Sequence, residues 1–415
     1  MENQIIQPGC VHGTIVPPAS KSVMQRAIAI AALAEGTSQL YGYSPSNDSD
    51  AALNIAELLG ATVCREGEKI TITGGMKNVR NMLCCGEAGL GIRMFTPIAS
   101  LWHEPITLQG EGSLKKRPVK GLEEPLKNLG VQIATNNGFV PITVCGPMLG
   151  GFTEVDGSLS SQILTGLLIA SPYAQRDVNL SVKDLKSKPY IDITLSMMKE
   201  FGVKVGRHEY DAFCIPAGQT YKAQDFVVEG DWSGASFLLV AGALNGEITV
   251  ENLSMDSYQA DKAIMDVLHL AGANITVNEK SVHVEHNQLN AFSFDATECP
   301  DLFPPLVSLA AHCAGNSVIK GVSRLAHKES NRAVVLQNEF AKLGTKIVLN
   351  DDEMIVYGGT LQGGKIHANN DHRIAMAGAV AALRAQKSIE IENPECVAKS
   401  YPQFWKDFFQ MRAKI

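Results

Sequence analysis

A helix that ends in a two-residue stop and runs straight into a strand recurs along this chain. It appears at Leu59-Gly60-Ala61-Thr62-Val63, Leu129-Gly130-Val131-Gln132-Ile133, Phe201-Gly202-Val203-Lys204-Val205, Ala271-Gly272-Ala273-Asn274-Ile275 and Leu343-Gly344-Thr345-Lys346-Ile347. The spacing of these glycines sets a period of about 70 residues, so six units fill the chain, the last only in part. Each unit opens with a small-residue apolar helix (28–34, 95–102, 164–170, 237–244, 306–313, 375–383) and continues into a β-rich strand (38–41, 105–108, 178–182, 247–250, 317–320, 388–391). A second, amphipathic helix ends at the glycine, and a hairpin of alternating residues follows. The first helix of each unit is apolar nearly all round and is therefore expected inside, with sheets and charged helices outside.

That grammar predicts an α/β chain of two domains, each of three βαβαββ repeats with interior helices, an inside-out α/β arrangement. The length independently favours two cores over one. The expected domains are 18–229, and 1–17 together with 230–415, with a hinge of two crossings at 17–18 and 229–231. The stretch Gln4 to Val16 precedes the first helix and has no partner in the first unit, so it is expected to close the last one.

Charge and cysteine content narrow the function. A balance of 36 basic against 43 acidic residues, net −7, argues against a general nucleic-acid or membrane surface. Any anion site must be a local concentration of charge. The nine cysteines are odd in number, scattered, and lack paired C-x-x-C spacing, so neither a disulfide framework nor a metal site is expected. The chain start lacks a secretory pattern and no apolar run approaches about 18 residues, so a cytoplasmic protein without a membrane anchor is expected.

The polar motifs gather at one place in the repeat, the entrance of the interior helices. Ser20-Lys21-Ser22 with Arg26 sets cations and hydroxyls at the mouth of the first. Alone it reads more readily as a capped helix with solvated basic residues than as an anion site. Gly86 to Arg93, Gly157 to Gln162, Cys299-Pro300-Asp301 and Asn369 to Arg373 occupy equivalent places, and further cations come from Lys115-Lys116-Arg117, His327 to Arg332 and Lys399. The repeat thereby draws Lys21, Arg93, Arg117, Arg332, Arg373 and Lys399 toward one cleft. So many cations with few carboxylates would repel one another, which implies a polyanionic ligand with carboxylate or phosphate groups. Gly359-Thr360-Leu361-Gln362-Gly363-Gly364-Lys365-Ile366 lacks the hydroxyl of a phosphate loop after its lysine and reads as a hairpin turn. Asp371-His372 reads as support for Arg373.

Pro18-Ala19-Ser20-Lys21-Ser22 with Arg26, the Gly86-to-Arg93 loop, Ser160-Ser161-Gln162, Ser187-Lys188-Pro189-Tyr190, Lys328-Glu329-Ser330-Asn331-Arg332, Asp371-His372-Arg373 and Ala398-Lys399-Ser400 together resemble the signature set of the 5-enolpyruvylshikimate-3-phosphate synthase family. They occur in that family's order over nearly the whole chain. The resemblance implies transfer of the enolpyruvyl group of phosphoenolpyruvate to the 5-hydroxyl of shikimate 3-phosphate, with phosphate released, by a cytoplasmic monomer that uses no cofactor or metal. Shikimate 3-phosphate would meet Lys21, Ser22, Arg26, Ser160, Ser161, Gln162, Ser187, Tyr190, Asp301 and Lys328. Phosphoenolpyruvate would meet Lys21, Gly89, Arg93, Arg117, Gln162, Arg332, Arg373 and Lys399. Asp301 would be the base and Glu329 the acid, with Lys21 a partner in proton transfer.

This chain departs from the family's pattern at Glu87, Leu90 and Met94, where many members carry Asn, Thr and Pro. Asn331 replaces an aspartate beside Arg332, and Arg324 stands where some members have an asparagine. Two rival readings remain: an enolpyruvyl transferase acting on UDP-N-acetylglucosamine, which Lys21-Ser22 and Ser160-Ser161-Gln162 disfavour, and a non-catalytic anion-binding repeat module.

Overall fold

All five glycine stops adopt the left-handed backbone that ends a helix without steric cost, with φ of 101° at Gly60, 83° at Gly130, 88° at Gly202, 90° at Gly272 and 94° at Gly344. After each, the chain turns back into a strand of a small sheet. The computed structural model describes residues 2–75 and 79–412 of the chain. It divides into two units, Lys21–Val228, and Met1–Ser20 with Glu229–Ile415.

Among the described residues there are five four-stranded sheets and one three-stranded sheet. In the second repeat, for example, Met82–Cys84 runs parallel to Ile106–Gln109, which pairs antiparallel with Phe139–Cys145 and through it with Gln132–Asn136. The parallel pair brackets a helix, because only a crossover can return a chain to run alongside itself in the same direction. The helices so bracketed are Gly89–Ala99, Gln162–Ala170, Phe303–Ala310 and His372–Ala381; with Lys21–Leu33 and Trp232–Leu244, which lead into the corresponding strands of the other two repeats, they are called below the first to sixth interior helices in chain order. They are buried on nearly every side, as in Val23–Leu33 of the first and Gly234–Leu244 of the fourth. A helix without a polar face can be stabilised only by enclosure. The fold is thus the inside-out α/β arrangement. In the Lys21–Val228 unit the second and third interior helices approach closely at Gly166, where a Cβ would fall 2.6 Å from the Arg93 carbonyl oxygen.

The N-terminal stretch differs from its expectation. It is not one strand but two, Gln4–Ile6 and Thr14–Ile15. The first runs antiparallel to Ile389–Glu392 and closes the last repeat, while the second runs parallel to Glu247–Glu251 and supplies the fourth repeat with its leading strand. Pro8 and Gly13, the latter at φ 105°, interrupt the ladder between them. The leading strand of the first repeat is provided by Asp225–Val227, parallel to Thr37–Tyr41. The glycine-rich 359–366 stretch is not a hairpin turn either. It connects Glu353–Tyr357 of one sheet to Gly364–His367 of the next, because the latter pairs with Ile389–Glu392 rather than with its predecessor.

Candidate active site

In the Lys21–Val228 unit the candidate residues sit at the entrances of three interior helices. Lys21 opens the first, its Nζ 2.9 Å from Asp48 Oδ2. Asp48 stands in the first turn of Asn47–Leu58, a helix capped by Ser46. Ser22 follows, and its carbonyl accepts from Arg26 Nη1 at 2.7 Å. Arg26 is enclosed: Nε donates to Thr194 Oγ1 at 2.9 Å, Nη2 to Thr165 Oγ1 at 3.2 Å and to the Tyr190 carbonyl at 3.4 Å. Its guanidinium lies 6.0 Å from the Tyr190 ring centroid, and burial brings its pKa down to about 10. It ties three helices together and orients Tyr190.

Gly89, Arg93, Arg117 and Gln162 come together at the entrances of the second and third interior helices. Arg93 Nη1 donates to Gln162 Oε1 at 3.0 Å and to the Gly89 carbonyl at 3.1 Å, and Nη2 to the Pro118 carbonyl at 2.8 Å. Arg117 lies over Gly89 so closely that a Cβ there would be 2.4 Å from its Nη2. Lys115 and Lys116 are exposed, which leaves Arg117 as the member of that basic run in the site. Glu87 has a supporting part that sequence reasoning missed. Its Oε2 accepts from the Ser113 N–H at 2.8 Å and from Ser113 Oγ at 2.7 Å, pinning the turn that delivers Arg117.

Ser160 Oγ accepts from the Gln162 N–H at 3.2 Å, and Ser161 is buried just before the third interior helix. Their loop runs beside that of Ser187, joined by the Lys186 N–H donating to the Gly157 carbonyl at 3.2 Å. Ser187 takes φ 58°, a left-handed conformation that costs a non-glycine residue energy and recurs at functional sites.

The other unit gathers the remaining candidates around Asp301, in the short turn before the fifth interior helix. Asp301 Oδ1 meets Arg332 Nη1 at 2.7 Å and Lys328 Nζ at 3.1 Å, and Oδ2 meets Arg373 Nη2 at 3.3 Å. Desolvation in this crowded corner pushes the acid upward, but Arg373, Lys328 and Arg332 outweigh it and hold Asp301 well below the usual carboxylate range. Burial lowers the Lys328 pKa despite Asp301.

Arg332 is fully buried and contacts three carboxylates. Nε donates to Asp371 Oδ2 at 2.9 Å, Nη2 to Asp371 Oδ1 at 3.2 Å and to Glu329 Oε2 at 2.7 Å, besides Nη1 to Asp301. Burial alone would lower its pKa, yet Asp371, Glu329 and Asp301 raise it. Asp371 therefore supports the side chain of Arg332, not that of Arg373 as expected. It accepts only the Arg373 backbone N–H, at 3.0 Å, as the cap of the sixth interior helix. Ser330 Oγ also donates to Asp371, at 3.0 Å. Lys399 is buried, its Nζ donating to the Asn370 carbonyl at 2.7 Å. Arg324, outside the candidate set, is partly buried in the field of Glu298, Asp301 and Asp352.

The expectation of mutually repelling cations needs correction. Asp301, Asp371 and Glu329 neutralise much of the charge in this unit, and Asp48 faces Lys21 in the other. Asp48 and Asp371 pair with cations 27 and 39 residues away, separations that adjacency within a motif cannot reveal.

Comparison with known proteins bears on these arrangements. The sequence matches the family described as "EPSP synthase (3-phosphoshikimate 1-carboxyvinyltransferase)" over residues 5–408. A 3-phosphoshikimate 1-carboxyvinyltransferase of Clostridium perfringens is 36% identical over 416 residues, covering 98% of this chain and 98% of its own. Among solved structures, the EPSP synthase of Acinetobacter baumannii is similar with a TM-score of 0.85 at 25% identity, covering 99% of this chain and 98% of that one. The enolpyruvyl transferase NikO from Streptomyces tendae, at 17% identity and a TM-score of 0.80 over 99% of this chain and 97% of its own, shares the fold.

Proposed function

The chain belongs to the EPSP synthase family, and from that premise we infer how its residues divide between two substrates. The reaction is 3-phosphoshikimate 1-carboxyvinyl transfer, a step of the shikimate pathway toward aromatic amino acids. The enolpyruvyl group of phosphoenolpyruvate passes to the 5-hydroxyl of shikimate 3-phosphate, and phosphate leaves.

Shikimate 3-phosphate is assigned Lys21, Ser22, Arg26, Ser160, Ser161, Gln162, Ser187 and Tyr190 of one unit, with Asp301 and Lys328 of the other. Phosphoenolpyruvate is assigned Lys21, Gly89, Arg93, Arg117 and Gln162, with Arg332, Arg373 and Lys399. The Lys21–Val228 unit thus binds mainly the shikimate substrate, and its companion unit carries the acid and base. In the addition step Asp301 takes the proton of the 5-hydroxyl while Glu329, with Lys21 as partner, protonates the methylene carbon. The oxygen then captures the cationic carbon left at C2. Elimination returns the proton and expels phosphate, whose charge the lysines and arginines stabilise.

The observation that best supports this assignment is Asp301, a part-exposed carboxylate kept anionic by Lys328, Arg332 and Arg373. A proton acceptor must be ionised before it can act, and this one is. The test is Glu329→Gln, which is expected to bind both substrates yet turn over slower by roughly 10²–10⁴-fold, the usual contribution of a general acid; near-normal turnover removes Glu329 from its role. The enzyme is further assigned to the cytoplasm as a monomer acting on small molecules. Phosphate release from shikimate 3-phosphate and phosphoenolpyruvate, without added metal, separates this reading from UDP-N-acetylglucosamine transfer and from mere anion binding.

A further inference from the structure

A second acid lies beside Asp301 that the mechanism above does not use. Asp261 sits in the short turn Ala260–Ala263 and is 1% exposed. Its Oδ2 accepts a short hydrogen bond from Ser233 Oγ in the first turn of the fourth interior helix. Its Oδ1 is enclosed and accepts no hydrogen bond from any described residue. A carboxylate with one oxygen sealed from both water and donors is costly to keep ionised.

The groups around Asp261 make it more than a packing residue. From the start of the fourth interior helix comes Asp231, from the turn before the fifth come Asp301 and the Cys299 thiol, and from the start of the sixth comes Arg373. On its own turn Lys262 is directed away, its Nζ donating to the Met255 carbonyl at 2.7 Å. The charge of Arg373 thus acts on both carboxylates, and Arg373 binds Asp301 directly.

We propose that Asp261 is a positioning residue that sets the basicity of Asp301 by gaining and losing a proton. The three cations that keep Asp301 ionised also lower its basicity. When Asp261 is protonated, the charge of Arg373 falls undivided on Asp301. When Asp261 is ionised, it shares Arg373 and repels Asp301, so Asp301 holds a proton more readily. Burial first, then Asp301, push the Asp261 carboxyl up to about 7 against the opposing pull of Arg373, so the exchange falls in the working range of pH. The inference rests on the assignment of Asp301 as the base.

The test is the pH dependence of kcat with both substrates saturating. The unaltered enzyme is expected to show a rising limb centred near pH 7, about three- to tenfold high, for a change of about one unit in Asp301 basicity acting through a partial proton-transfer sensitivity. In Asp261→Asn, an isostere that cannot ionise, that limb disappears. In Ser233→Ala, which removes the donor that favours the ionised carboxylate, the limb moves to higher pH. A limb of unaltered midpoint and height in Asp261→Asn overturns the proposal; if that variant does not fold, an unshifted limb in Ser233→Ala does so. Asp301→Asn separates the two levels of inference. Near-normal turnover there removes the base itself, whereas slow turnover combined with a persistent limb in Asp261→Asn removes only the role given to Asp261.

Discussion

Arg332 shows how a cation can be placed with no exposure at all. Its donors are divided among Asp301, Asp371 and Glu329, and the bidentate contact with Asp371 fixes the plane of the guanidinium. Losing Asp371 leaves the buried guanidinium only partly compensated, by Asp301 and Glu329. Asp371→Asn is therefore expected to lower stability by about 3 kcal/mol, read from the urea midpoint. Gly89 is constrained differently. A methyl group there collides with Arg117, whose side chain can swing aside only by leaving its place. Gly89→Ala is thus expected to raise the KM for phosphoenolpyruvate roughly tenfold, about 1.4 kcal/mol, in steady-state kinetics. At this scale the motifs named side chains that do meet: Asp301, Lys328, Arg332 and Arg373 converge. Their counter-charges were not legible. Asp48, Asp261 and the true partner of Asp371 depend on contacts between repeats, and nothing in the local sequence of an aspartate says which arginine it will face.

At the scale of elements, apolar character on every side identified all six interior helices, because a buried helix has no polar face to preserve. What escaped was strand assignment in polar or interrupted segments. Gln4 to Val16 contains too few residues per strand for alternation to mark its break, and the 359–366 stretch has turn composition whether it reverses within a sheet or leaves it. The interior helices are also joined by polar links. Ser308 Oγ donates to the Ala377 carbonyl at 2.9 Å and His312 Nε2 to the Ala381 carbonyl at 2.8 Å, both 69 residues apart, one repeat length. Burial pulls the His312 pKa from 6.5 to about 4. Between those values the unfolded chain takes up a proton that the folded state resists, so this group costs stability as pH falls from about 6.5 to about 4, by at most about 3 kcal/mol. His312→Gln keeps a donor for Ala381 but cannot ionise. Urea unfolding across that range should show the difference between the two proteins narrowing as the medium becomes more acid.

At the scale of the molecule the two units differ in how the chain builds them. One is continuous, Lys21–Val228, and takes its last strand, Asp225–Val227, from its own end. The other is assembled from both ends of the chain. Gln4–Ile6 lies against Ile389–Glu392, and Arg412 Nη2 donates to the Gln7 carbonyl at 2.6 Å. Removing residues 2–7 should therefore bare the edge of the last sheet and uncover the core around Ile6. Calorimetry is expected to show a lowered transition for the divided unit and an unaltered one for the continuous unit. The repeat period made this division readable in outline, since three units a side follow from counting; the exchange of leading strands was not, since Asp225–Val227 and Thr14–Ile15 pair with strands about a unit's length away in the chain and leave no local trace, whereas the pairing of Gln4–Ile6 that closes the last sheet was expected. That pairing sets an order of events at the ribosome. Synthesis runs from the N-terminus at ~5–20 residues per second, so Gln4–Ile6 emerges tens of seconds before the strand it needs. The continuous half can mature on the nascent chain meanwhile, while Gln4–Ile6 waits until Ile389–Glu392 has been made.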